Sequence, residues 1–369
     1  MGLVYWLVKP LLMSMSPAAA HAAGMASLGP VEYVGPLRAL ERMLYVPRDP
    51  RLVVRRMGLS FASPIGLAAG FDKNARRPRA LAALGFGHLE LGTVTALAQA
   101  ANPEPNIFRL PRDRALVNRL GFPNEGAERV AARVLALGGT KAIGVPTGLS
   151  IGKSRAVPVV PIEGAVEDYL ASYRIVRDVA DFVVVNVSSP NTPDLRAMQG
   201  AELARTLLGG IARERDAGER RVPTLLKVAP DLADADLESL LEVVLETKLD
   251  GVVATNTTTS RAGLVTPAAA VDALGAGGLS GPPLRARALA VVKRVRARLG
   301  PSATVIGVGG IETAADVLAF VRAGANLVQL YTAFIYGGPG TADRLTRGLA
   351  AALDREGARS VSEVVGTAS

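Results

Sequence analysis

The stretch Asp181-Phe182-Val183-Val184-Val185-Asn186-Val187-Ser188-Ser189-Pro190-Asn191-Thr192 changes character halfway along. Phe182 to Val185 is a short, β-branched apolar run that reads as a fully buried strand. Amides and hydroxyls then crowd its end, and Pro190 cannot extend a ladder, so the chain turns there. In a parallel α/β protein, ligands sit at the carboxyl ends of the strands. One reading is a site in which a serine acts and asparagines hold a flat polar ligand. The other is an Asn/Ser turn that caps the following helix.

The same grammar recurs along the chain. Pro64 to Ala69 leads into Gly70-Phe71-Asp72-Lys73-Asn74, and Phe86 to Leu91 leads into Gly92-Thr93-Val94-Thr95. A third run opens at Ala142 to Val145 and ends near Ser150-Ile151-Gly152-Lys153. Phe182 to Val185 is the fourth. Thr224 to Leu226 ends in Lys227, and Gly251 to Ala254 ends in Thr255-Asn256-Thr257. Thr304 to Val308 ends in Gly309-Gly310, and Leu327 to Leu330 ends in Tyr331-Thr332. Helical patterns such as Glu163 to Val179 and Ala314 to Ala323 lie between. Eight such units predict a (β/α)8 TIM barrel rather than an open doubly wound sheet. The gap from Thr95 to Lys141 is too long for one helix and predicts an excursion over the top of the barrel.

Composition narrows the chemistry. The 369 residues include no cysteine and two histidines, His21 and His88. Disulfides, thiolate catalysis and thiolate metal sites are therefore excluded, and no metal site is expected. The net charge is +9, and residues 1–60 carry Lys9, Arg38, Arg42, Arg48, Arg51, Arg55 and Arg56 against Glu32, Glu41 and Asp49.

That N-terminal segment is also apolar. Leu3 to Val8 and Leu11 to Met15, interrupted by Lys9-Pro10, fall short of the roughly 20 residues that span a bilayer. No basic region precedes them, so no cleaved signal peptide is expected. Val34, Leu37, Leu40 and Leu44 then share one face of a second helix. Two short apolar helices with basic residues fit a piece that lies on a membrane; the alternative is a helical pair packed on the main domain. Pro47 and Pro50 mark a linker near residues 46–52. The expected division is an extension over residues 1–50, a barrel over 51–355 and a tail over 356–369.

The strand ends carry complementary chemistry. Ile306 to Ile311 offers glycines that let backbone N–H groups approach an anion, and loops seven and eight of such barrels often hold a ligand phosphate. Gly277-Gly278-Leu279-Ser280-Gly281 and Tyr331-Thr332 strengthen that reading. Lys73 and Lys227 end the first and fifth runs, where a lysine is costly unless it meets an anion or an electron-rich ring. A positive charge near a flavin ring stabilises its reduced, anionic form. Asn118-Arg119-Leu120-Gly121-Phe122, Asn186, Asn191, Asn256 and Thr257 suit a planar ligand with alternating C=O and N–H groups, such as a pyrimidine. With no thiol and no well-placed imidazole, the proton acceptor is a hydroxyl: Ser189 or Ser188, with Thr192 behind them.

These residues resemble the dihydroorotate dehydrogenases, specifically their membrane-associated, quinone-reducing class 2. The matching segments are Gly66 to Lys73, Glu90 to Thr95, Asn102-Pro103 through Phe108-Arg109, Asn118 to Phe122, Asn186 to Thr192, Lys227 to Asp231, Ala254 to Thr258, Gly277 to Gly281 and Ile306 to Thr332. The resemblance implies an FMN-containing barrel that oxidises dihydroorotate to orotate in pyrimidine synthesis. It implies Ser189 as the base that takes the C5 proton while the C6 hydride passes to FMN N5. Lys73, Asn118, Arg119, Leu120, Gly121, Phe122, Asn186, Asn191, Asn256 and Thr257 match the substrate-contacting segments. Ala69, Gly70, Phe71, Asp72, Lys73, Thr93, Asn186, Lys227, Thr255, Gly281, Gly310, Tyr331 and Thr332 match those around FMN. Ser150 stands where the family often has Asn, and is expected as a shorter FMN contact. The N-terminal helices would form the tunnel through which a membrane quinone, ubiquinone or menaquinone, reaches the flavin.

Two other readings compete. A tRNA dihydrouridine synthase is also an FMN barrel, but its nucleic-acid role asks for a basic RNA-binding extension and usually a catalytic cysteine. A phosphate-binding scaffold without catalysis leaves both lysines and the amides unexplained. The expectation is a monomer without a nucleic-acid partner, peripheral on the cytoplasmic face of a bacterial inner membrane.

Overall fold

The computed structural model describes residues 2–192 and 194–368; the side chains of residues 2–4 and 6, part of the Leu3 to Val8 run, lie outside that description. Eight parallel strands close into a barrel in sequence order: β1 Ile65–Leu67, β2 His88–Val94, β3 Thr147–Ile151, β4 Phe182–Asn186, β5 Thr224–Val228, β6 Gly251–Ala254, β7 Thr304–Val308 and β8 Leu327–Leu330. Nearly every strand residue is buried, as a sheet covered by helices outside and filled by side chains inside requires. The helix Ile162–Val176 shows how the outer layer forms. Its buried Ala165, Tyr169, Ser172, Tyr173 and Val176 recur at helical spacing. Tyr169 also donates its hydroxyl to the Asn186 carbonyl at 2.8 Å, pinning the end of β4.

The third strand lies further on than the sequence placed it. Gly139–Ile143 is helical, and β3 begins at Thr147. Gly144, at φ 91°, ends that helix in the left-handed region, and Pro146 cannot join a ladder as a donor. Asp181 then accepts from the Thr147 N–H at 2.8 Å and fixes where pairing starts. The excursion expected after β2 is a small antiparallel sheet. Strands Ile107–Leu110 and Ala115–Asn118 form a hairpin, and Gly278–Ser280 adds a third strand.

The N-terminal segment forms four helices rather than two: α1 Gly2–Ser14, α2 Pro17–Ser27, α3 Gly29–Tyr33 and α4 Gly35–Tyr45. α1 runs through Pro10 at the cost of one helical hydrogen bond. The extension is tied to the barrel by specific contacts. Arg109 donates to the carbonyls of Leu12, Met13 and Met15 at the end of α1, which satisfies orphan acceptors. Glu32 is fully buried and accepts from the Ala80 N–H at 2.9 Å, at the start of the helix Pro78–Ala83. Among the described residues no helix is long and apolar enough to cross a membrane. On α4, Leu37, Leu40 and Leu44 are 41%, 48% and 48% exposed, so the apolar stripe faces outward.

Candidate active site

The carboxyl ends of the strands enclose a cleft with about 1200 Å³ of empty volume, lined by β1, β2, β4 to β8 and the excursion. Its glycine-rich wall follows β7 and β8. Gly309 and Gly310 have φ of 135° and 73°, and a Cβ on Gly310 would stand 2.8 Å from the Arg285 Cβ and 2.9 Å from the Gly281 carbonyl. Only glycine lets this turn press against the helix start behind it. Thr332 and Ser280 share a hydrogen bond at 2.8 Å beside it. Hydroxyls and exposed backbone at such a wall suit a phosphate.

The opposite wall distinguishes the two serines that residue type alone left equal and of which the resemblance implied Ser189. Ser188 Oγ donates to Asn186 Oδ1 at 3.0 Å and accepts from Asn256 Nδ2 at 2.9 Å, so it is spent inside the amide set. Ser189 lines the cleft and accepts one bond, from the Asn191 N–H at 3.2 Å. Asn191 Nδ2 donates to Asn118 Oδ1 at 3.1 Å, and Asn186 Nδ2 donates to Thr93 Oγ1 at 3.2 Å. These amides hold one another in fixed orientations before any ligand arrives. Arg196 ties three rim loops together: it donates to the Ser188 and Thr257 carbonyls and pairs with Asp231 at 2.8 Å. Thr192 carries the one buried hydroxyl without a partner among the described residues.

Two lysines face the cleft. Lys227 pairs with the buried Glu90 at 3.2 Å, and Glu90 also accepts from Gln329 at 2.9 Å. Lys73 has no carboxylate within salt-bridge distance among the described residues. Burial pushes its ammonium down to about 8, with neighbouring Asp72 opposing. A second cavity, about 2460 Å³ including its mouth, opens between α1, α2 and the barrel. It is largely apolar and meets the first at Lys73 and Tyr331. His21 lines it, with its ring 5.1 Å from Phe71, and burial, aided by Lys73, lowers its imidazole to about 4.

Most of the residues expected from sequence converge here. Ala69, Gly70, Lys73, Thr93, Asn118, Leu120, Gly121, Phe122, Asn186, Ser189, Asn191, Lys227, Thr255, Asn256, Thr257, Gly281, Gly310, Tyr331 and Thr332 all line the cleft. Four do not. Ser150 stands behind Thr93, its hydroxyl 3.0 Å from that of Thr93. Phe71 and Asp72 face the second cavity, and Asp72 accepts from the Arg76 and Arg77 N–H groups. Arg119 points outward to the Pro105, Leu274 and Ala276 carbonyls. Glu90 and Gln329 were missed, although a carboxylate and an amide inside otherwise apolar runs were visible signals.

The cleft fits FMN on its own terms. It offers an anion cradle at one wall, a lysine at its floor, and a buried Gln329 Oε1 that finds no donor among the described residues. Fold and cleft together define a flavin-type barrel oxidoreductase. The sequence profile described as Dihydroorotate dehydrogenase matches residues 51–353. A Thermobifida fusca protein named Dihydroorotate dehydrogenase (quinone) is 49% identical over 99% of this chain and 96% of its own length. A Mycobacterium tuberculosis protein of the same name is 46% identical over 99% and 98%. The crystal structure of an Eimeria tenella DHODH in complex with ferulenol superposes with a TM-score of 0.84 at 32% identity, covering 98% of each chain. The chain belongs to the dihydroorotate dehydrogenase family. It is an FMN enzyme that oxidises dihydroorotate to orotate in pyrimidine synthesis.

Proposed function

We propose that Ser189 is the base of this oxidation and that the electrons leave through the second cavity to a membrane quinone. FMN held in this cleft would supply the two-electron acceptor for dihydroorotate and the electron donor for the second substrate. The observation that carries the assignment is the contrast between the serines. Ser189 holds a hydroxyl at the cleft wall with one bond to its own loop, while Ser188 is saturated by two asparagines. Ser189 Oγ takes the C5 proton, and Thr192, three residues on, buries the unpaired hydroxyl through which that proton can leave. Asn118, Asn186, Asn191, Asn256 and Thr257 hold the pyrimidine ring by its amide edges. Lys73 receives the substrate carboxylate.

The last assignment has a pH signature. A lysine lowered to about 8 is charged below that value and neutral above it. An anion bound by its ammonium therefore binds fully below about pH 7 and loses affinity as pH rises through 8. The apparent Kd of orotate for the flavin-loaded protein should stay flat to pH 7, then climb roughly tenfold per pH unit above 8. Lys73→Met should flatten the profile; an unchanged slope in that variant would remove Lys73 from the carboxylate site.

The acceptor reading rests on where the second cavity lies. It runs from the outer helices to Lys73 and Tyr331, where the cleft begins. A quinone entering from a bilayer needs such an apolar path, and the outward stripe of α4 supplies interfacial contact. On this reading the protein sits peripherally on the cytoplasmic face of the membrane, with residues 1–50 as the docking and tunnel segment ahead of the barrel over 51–355 and the tail over 356–369. Leu37, Leu40 and Leu44 changed together to Glu should cut binding to anionic lipid vesicles at least tenfold and leave dihydroorotate oxidation with a soluble dye intact. Vesicle binding at the original level would remove α4 from the membrane contact.

A further inference from the structure

Glu90, Lys227 and Gln329 lie on β2, β5 and β8, none of which neighbours another in the barrel. They therefore meet across its interior. Lys227 and Gln329 line the cleft and Glu90 does not, so the carboxylate sits one layer beneath the floor. All three are buried, Glu90 and Gln329 to 1% exposure. Lys227 Nζ lies 3.2 Å from Glu90 Oε1, and Gln329 Nε2 lies 2.9 Å from Glu90 Oε2.

A carboxylate only accepts hydrogen bonds, so it dictates what its neighbours present. Turning the Gln329 amide over would set oxygen against oxygen, so Nε2 faces Glu90 and Oε1 remains as an acceptor. That Oε1 is buried and meets no donor among the described residues. Lys227 bonds Glu90 with one N–H and keeps the others. Glu90 thus fixes a donor beside an acceptor, the edge pattern of a flavin's pyrimidine ring. It also changes the field in the cleft. A buried ammonium with a carboxylate at 3.2 Å is a short dipole, whereas alone it would be a full charge in a medium that screens poorly.

We propose that Glu90 is a positioning residue for the flavin. Its carboxylate orders Lys227 and Gln329 as a donor–acceptor pair and cancels most of the lysine's charge. It thereby keeps the FMN midpoint potential below the value Lys227 alone would set. This rests on the placement of FMN over Lys227, and the test separates the two claims.

The experiment is an anaerobic dye-coupled titration of the FMN midpoint potential in the full-length holoenzyme. Glu90→Gln should raise the potential by a tenfold or larger change in the two-electron equilibrium, about 30 mV. Glu90→Asp, which keeps the charge, should stay within threefold of the parent. Glu90→Gln combined with Lys227→Gln removes both charges and should also return within threefold. Lys227→Gln alone should weaken FMN retention at least tenfold. If it does and Glu90→Gln leaves the potential within threefold, Glu90 is merely structural and the proposal is overturned. If Lys227→Gln changes neither retention nor potential, the flavin does not lie over this pair and the placement falls with it. Should Glu90→Gln fail to hold flavin, Gln329→Leu removes the acceptor that Glu90 orients and leaves the Lys227–Glu90 pair in place. It should weaken FMN retention at least threefold; unchanged retention there overturns the proposal equally.

Discussion

Ser189→Ala should keep FMN bound and slow its bleaching by dihydroorotate by at least about a hundredfold, the usual contribution of a positioned base. The substitution removes a single oxygen whose protein contact is the Asn191 N–H at 3.2 Å. The amide set needs no help from it: Asn118, Asn186, Asn191 and Asn256 bond to one another, to Thr93 and to Ser188. Orotate affinity should therefore change little while the rate collapses, the pattern of an interaction made only in the transition state. Ser188→Ala should do the reverse. Losing Ser188 Oγ takes from the Asn256 amide its 2.9 Å acceptor and leaves it only the longer bond to Asn186 Oδ1, which loosens ligand binding before it touches proton transfer. Near-normal bleaching by Ser189→Ala would assign the base elsewhere.

Removing residues 2–44 should spare bleaching by dihydroorotate and cut reduction of a hydrophobic quinone on the order of a hundredfold. The main core takes its buried members from Tyr45 onward, so the barrel keeps its packing. The truncation does lose the Glu32 carboxylate that caps the Ala80 N–H, a loss of about 1 kcal/mol. It also removes one wall of the second cavity, which Tyr5, Leu12, Pro17, His21 and Met25 supply. A quinone would then meet an open surface instead of an apolar path, and its headgroup would not be held near Tyr331. Quinone turnover at the full-length rate would show that the extension is not the route.

How much of this was legible in the sequence varied with the kind of feature. The barrel was readable because its signal repeats: a short apolar run, a polar end and a helix, eight times over. The third strand slipped because Ala142 to Val145 is apolar but too short to tell helix from strand, and Gly144 and Pro146 decided it locally. Pro10 read as a break, yet α1 passes through it; three carbonyl bonds from Arg109 at its far end help hold the helix in place. Site residues at strand ends were legible since that position alone predicts convergence. Ser189 could not be told from Ser188 by composition, because the difference lies in which hydroxyl Asn256 reaches. Glu90 and Gln329 stood out as polar residues in apolar runs, but their pairing did not: whether a mid-strand polar residue points inward, and whom it meets across a barrel, depends on closure.

The most direct test of the central claim is an anaerobic stopped-flow experiment in two stages. The purified holoenzyme is mixed with dihydroorotate while flavin absorbance is followed, then pulsed with a ubiquinone or menaquinone analogue. A single fast bleaching by dihydroorotate, orotate formed in equal amount, and rapid colour return with quinone but not with fumarate or NAD is the expected result. Absence of bleaching by dihydroorotate would contradict the site assignment, and colour return with fumarate or NAD as fast as with quinone would contradict the electron route.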